Sequence, residues 1–90
     1  MIPSPSLPPQ VLVLRFMREK RKLTLLYVGK ELGIKPKIID HMENGRRIVT
    51  DTEIQLFLDC YNYSLDVFQE MLKIKPLNKR AANHYFLTRN

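Results

Sequence analysis

Apolar residues recur at helical spacing through most of the chain. Val11, Leu14 and Met17 share one face with Arg18, and this spacing predicts a first helix from about Pro9 to Arg21, with Pro tolerated in its first turn. Leu12, Val13 and Phe16 are apolar too, so the helix is apolar almost all round in its first half, which a three-turn surface helix should not be. An extra cover is expected there, either the N-terminal arm or the Tyr85-Phe86-Leu87 cluster. Val28 and Leu32 mark a second helix, capped by the Thr24 hydroxyl and preceded by Leu23. Gly29 removes side-chain bulk where a neighbouring helix must cross closely, and Gly33 supplies the left-handed residue that ends the helix. Lys35 leads into Pro36, which suits the first turn of a third helix with Ile39 and Met42 inward and Gly45 at its end.

Thr50-Asp51-Thr52-Glu53 has capping-box spacing and opens a fourth helix with the stripe Ile54, Phe57, Leu58 and Tyr61. Ser64 caps a fifth, with Leu65, Phe68 and Leu72 inward and Asp66 near its positive N-terminus. Pro76 is expected to stop further helix, and no strand pattern is convincing before the Tyr85-Phe86-Leu87 cluster. Residues 1–9 hold four of the six prolines and read as an extended arm. The organisation expected is an arm at 1–9, a helical domain at 10–73 and a basic C-terminal tail at 74–90.

Ninety residues allow one domain, and so short a chain buries only about 60% of its unfolded surface, so dimerisation would help it. The net charge is +6, but its distribution says more: residues 1–47 carry ten Lys/Arg and four acids, 48–72 five acids and no Lys/Arg, and 73–90 five Lys/Arg and no acid. A basic face suits a polyanion, most commonly a phosphate backbone; the plainer alternative is a solvated surface. Cys60 is the one cysteine, so no intrachain disulfide or cysteine zinc site can form, and its apolar neighbours mark a core thiol. His41 and His84 have no ligand partners nearby in sequence, so no metal or cofactor is expected. With no signal peptide and no membrane-length apolar run, the expected compartment is the cytoplasm.

Residues 23–45 therefore read as two short helices around a Gly turn, closed by a second Gly: a helix-turn-helix, whose second helix enters a DNA major groove. From Val11 to Leu72 the chain resembles the phage-repressor-like helix-turn-helix family, also called the Cro/C1 or XRE type. The residues that carry the resemblance are Leu14-Arg15 with Arg18, Leu23-Thr24, Val28-Gly29, Leu32-Gly33-Ile34, Ile39, Met42-Glu43-Asn44-Gly45-Arg46-Arg47 and Ser64-Leu65-Asp66. It implies an all-α, five-helix, lambda-repressor-like DNA-binding domain, here with N- and C-terminal arms. It also implies an ion pair between Arg18 and Glu43 that orients the reading helix, a scaffold and not a DNA contact.

By the same resemblance, base contacts would fall on the outer face of the third helix, at Pro36, Lys37 and His41. Lys37 can donate to guanine O6 and N7, His41 to a purine acceptor, and Ile38 can touch a thymine methyl. Thr24, Lys35, Asn44, Arg46 and Arg47 are the expected phosphate contacts. Three residues depart from the family. Leu25 stands where a phosphate-binding Gln is usual, Pro36 replaces a polar reader, and Asp40 brings a negative charge, although Asp can accept from cytosine N4. Leu25, Leu26 and Tyr27 are apolar at positions usually polar, and such patches mark partner sites. The reading is a DNA-binding transcription regulator, a homodimer on double-stranded DNA. The alternative is a protein-interaction module of the same fold, antitoxin-like or an anti-repressor partner. No nucleophile–base pair or phosphate-cradling Gly loop is present, so no catalytic residue and no enzyme activity are expected.

Overall fold

The computed structural model describes residues 7–88, so the expectation for residues 1–6 of the arm lies outside the described residues. The element order is α1 (Pro9–Lys20), α2 (Leu25–Leu32), α3 (Pro36–Glu43), α4 (Asp51–Tyr61), α5 (Leu65–Leu72) and α6 (Lys79–Thr88). Among the described residues all regular structure is helical. Six helices form among the described residues where five were expected, and the C-terminal segment carries one of them. Pro76 does not end helix formation. It precedes Asn78, whose Oδ1 accepts from the Ala81 amide at 2.9 Å and opens α6 as an N-cap does.

Local chemistry sets the other helix starts. Thr24 Oγ1 accepts from the Tyr27 amide at 3.0 Å, and Ser64 Oγ accepts from the Val67 amide at 3.2 Å. Thr50 and Glu53 make a reciprocal capping box: Thr50 Oγ1 accepts from the Glu53 amide at 3.2 Å, and the Thr50 amide donates back to Glu53 Oε1 at 3.0 Å.

The core draws on every helix. Val13, Met17, Val28, Ile39, Met42, Phe57, Leu58, Tyr61, Phe68, Met71 and Ala82 are buried together. The expected stripe of α4 is the buried one. In α5, Phe68 is buried and Leu72 partly buried against the core as expected and Met71 joins them, whereas Leu65, read as inward, is 45% exposed.

The all-round apolar character of α1 is resolved by α6. Helix α6 packs against α1, Ala82 is buried, and Phe16, Tyr85 and Phe86 close the edge of the core. The Phe86 ring also tilts against Tyr63 at 5.6 Å and lies 5.7 Å from Lys20 Nζ. Of the two covers expected for α1, the C-terminal cluster supplies this one, as a helix.

Gly29 shows how tightly α2 and α3 are set. A β-carbon there would lie 2.5 Å from the Ile34 carbonyl oxygen and 3.2 Å from the Pro36 ring. The Gly29 carbonyl accepts from both Gly33 and Ile34 amides, closing the turn through Gly33 at φ 69°. Alanine is the better helix former by about 1 kcal/mol, but the backbone collision outweighs it. Gly29→Ala is expected to destabilise the protein by about 1–2 kcal/mol net, read as a lower urea midpoint. A midpoint equal to or above that of the unsubstituted chain would contradict this.

Candidate nucleic-acid interface

One guanidinium ties the ends of the helix pair. Arg18 Nε donates to Glu43 Oε2 at 2.6 Å and Nη2 to Glu43 Oε1 at 2.8 Å, a bidentate pair. Its Nη1 donates to the Leu23 carbonyl at 2.7 Å. Arg18 thus joins the C-terminal end of α3 to the residue ahead of the α2 cap, while the Gly29–Pro36 contact fixes the crossing between them. The pair is well covered, with side chains 13% and 9% exposed. The hydrogen bond to Glu43 raises the Arg18 pKa above its ordinary value, against a smaller opposing effect of burial.

The N-terminus of α2 is open to an anion. With Thr24 Oγ1 serving the Tyr27 amide and the Thr24 carbonyl serving Val28, the Leu25 and Leu26 amides lie ahead of the first intrahelical bond. At α3 the Lys35 carbonyl accepts from Ile38 and Ile39, and Pro36 has no amide hydrogen, so Lys37 carries the free backbone donor of that end.

The proposed base-contacting residues differ in presentation. Lys37 is exposed, while Pro36, Asp40 and His41 are half-buried. Ile38, expected on the outer face, is half-buried and packs on the core edge beside Ile39, since an eight-residue helix wedged between α1 and α2 has little free circumference. Among the phosphate candidates, Thr24, Lys35, Asn44, Arg46 and Arg47 are all exposed. The Asn44 side-chain amide is engaged within α3, donating to the Asp40 carbonyl at 2.9 Å and to Asp40 Oδ1 at 3.1 Å. It thereby offsets part of the Asp40 charge on the reading helix. Arg47 Nη2 lies 3.7 Å from Glu53 Oε2 but is half-exposed, a surface pair of small net worth.

The apolar triplet on α2 divides. Leu25 is half-buried against the core, while Leu26 is 71% and Tyr27 48% exposed. Among the described residues no group of three His, Cys, Asp or Glu could hold a metal ion, and no helix is long and apolar enough to cross a membrane. Cys60 is half-buried, and burial pushes its thiol pKa up, which disfavours the reactive thiolate.

Sequence reasoning read the basic C-terminal segment as a tail and missed the helix α6 that it forms. Asn78 at the cap position, followed by Ala82, Tyr85 and Phe86 at helical spacing, was the signal that could have found it, and the charge run and Pro76 obscured it.

Comparison with curated proteins and with solved structures gave no match. A family model described as helix-turn-helix matches residues 14–68, from the middle of α1 into α5, and so includes the whole α2–α3 pair and both partners of the Arg18–Glu43 bridge. The chain belongs to the Cro/C1, or XRE-type, helix-turn-helix family of DNA-binding regulators.

Proposed function

We propose that the protein is a sequence-specific transcription regulator that reads the major groove with α3. The observation that carries this reading is the fixed placement of α3: Arg18 holds its C-terminal end, Gly29 admits its N-terminal end against α2, and Lys37 stays exposed on the helix so held. Lys37 would donate to guanine, with His41 and Asp40 as the further readers and Ile38 and Pro36 giving apolar contacts. Thr24 with the open amides of α2, together with Lys35, Arg46 and Arg47, would hold phosphates; Asn44 would act there after exchanging its bond to Asp40. Two copies on a near-palindromic site would place their reading helices one DNA turn, about 34 Å, apart.

Selection of preferred duplexes from a random pool tests this directly. An enriched motif with two-fold symmetry is expected. The Lys37→Ala/Arg46→Ala/Arg47→Ala variant is expected to lose both the enrichment and most of the salt-dependent affinity. Failure of the unsubstituted protein to bind any duplex at low salt would overturn the proposal.

The exposed Leu26 and Tyr27 favour a second reading, a protein partner seated on α2. Leu26→Ser/Tyr27→Ser should then abolish partner capture and leave duplex affinity unchanged. Loss of duplex affinity would instead place both residues at the DNA backbone.

A further inference from the structure

Helix α6 lies outside the family-matched residues and carries basic groups that the α2–α3 reading does not use. Lys73, Lys75, Lys79 and Arg80 are all exposed, and residues 71–88 contain no acid. None of the four cations meets a carboxylate among the described residues. The Glu70 carboxylate, on the adjoining helix, accepts from the Tyr85 hydroxyl at 2.6 Å. Lys75, Asn78, Arg80, His84 and Thr88 edge one groove between the α5–α6 connection and α6, so two of the four cations, Lys75 and Arg80, converge there with His84. Thr88 Oγ1 is turned back onto the His84 and Tyr85 carbonyls, leaving Lys75, Arg80 and His84 as the groups that can face a ligand.

The rest of the surface limits where a polyanion can continue from there. Residues 48–72, which form α4 and α5, carry five acids and no Lys or Arg and repel it. The end of α1 does the opposite. Lys20 lies over the Phe86 ring of α6, and exposed Lys22 follows in the turn that leads to Thr24 and the open amides of α2. Lys20 and Lys22 thus set basic groups between Phe86 of α6 and the α2 cap.

We propose that the groove edged by Lys75, Arg80 and His84 is a second phosphate-backbone contact, engaging duplex DNA that flanks the stretch read by α3. The proposal rests on the DNA-reading assignment of α2–α3. It makes α6 an extension of the footprint that adds affinity without sequence preference, since phosphates carry none directly.

The test compares the full chain with Lys75→Gln/Arg80→Gln by fluorescence anisotropy, on random-sequence duplexes of about 30 and about 10 base pairs over a salt series. Both residues are exposed, so the variant keeps the fold, and a thermal unfolding curve verifies it. On the longer duplex the log–log salt slope is expected to become shallower by about 2, close to 0.9 for each phosphate that is no longer neutralised. On the shorter duplex the slope should be unchanged. An unchanged slope on the longer duplex overturns the proposal, and equal weakening on both overturns the flanking placement. The Lys37→Ala/Arg46→Ala/Arg47→Ala variant separates the two assignments. If only that variant loses affinity, α3 reads DNA and α6 does not bind it. If only the α6 variant loses affinity, the α3 reading fails while the α6 contact stands.

Discussion

Glu43→Ala is expected to lower stability by about 3 kcal/mol, a large share of what a domain of this size possesses. The loss does not measure the worth of the ion pair. It measures the penalty of leaving the Arg18 guanidinium covered by α1, α2 and α3 with only the Leu23 carbonyl to receive it. Arg18→Ala should cost a similar amount for the reciprocal reason, since Glu43 would keep a buried carboxylate with no cation. The double substitution Arg18→Met/Glu43→Leu removes both charges and fills their volume, and should recover most of the stability. A urea titration reads all three, with the single variants shifted down by roughly 1–2 M for a protein of this size. Single variants as stable as the unsubstituted chain would show that solvent reaches the pair freely. Binding adds a second readout. If the bridge aims α3, the double variant should fold and yet bind its selected duplex less tightly, because an apolar contact fixes no direction.

Tyr61→Ala is expected to cost about 4 kcal/mol, at the upper end for a fully buried aromatic. Tyr61 is 1% exposed, stacks with Phe57 at 5.9 Å, and lines the core beside Leu14, Ile39, Met42 and Glu43. Its carbonyl accepts from Arg21 Nε at 2.8 Å, so the residue also ties the end of α4 to the end of α1. Removing the ring opens a cavity next to the Arg18–Glu43 pair, and water entering it would weaken both packing and ion pair. Tyr61→Phe keeps the ring and separates packing from acid–base behaviour. Burial, reinforced by the Glu43 charge, pushes the Tyr61 phenol well above its ordinary value of 10.0. A raised pKa in the folded state means that the unfolded chain ionises first. The stabilising contribution is therefore complete below about pH 10 and declines as pH rises beyond it. Tyr61→Phe should flatten that alkaline decline, leaving the share due to Tyr63, which burial also raises. An unaltered alkaline profile in Tyr61→Phe would assign the decline to other groups.

Local signals in the sequence are legible wherever the physics is local. Caps at Thr24, Thr50 and Ser64 act within three residues, so residue type and spacing are enough to place three helix starts. Gly33 is legible for the same reason, since a left-handed turn between two helices calls for a residue without a β-carbon. Other features depend on neighbours distant in sequence. Leu65 fits an inward stripe by spacing, but whether the first turn of α5 reaches the core is set by α1 and α4. Ile38 is flanked by the polar Lys37 and lies near Asp40, which suggests an outward face, yet the space left between α1 and α2 turns it against the core. The C-terminal helix is hidden by charge: Ala82, Tyr85 and Phe86 form a short apolar stripe that holds only because α1 offers an apolar face to receive it.

The candidate interface divides along the same line. Residue types and spacing mark Thr24, Lys37, Arg46 and Arg47 as cationic or capping groups on one motif. It takes the packed chain to show that the exposed Asn44 bonds back to Asp40, that Leu26 and Tyr27 stand in solvent while Leu25 does not, and that a basic groove lies between the α5–α6 connection and α6. The helix pair and its family could be read from the chain alone, because capping, turn formation and helical periodicity are short-range effects written into neighbouring residues. Which side chains remain free for a ligand could not, because exposure and hydrogen-bond availability are what packing leaves over once the core is closed.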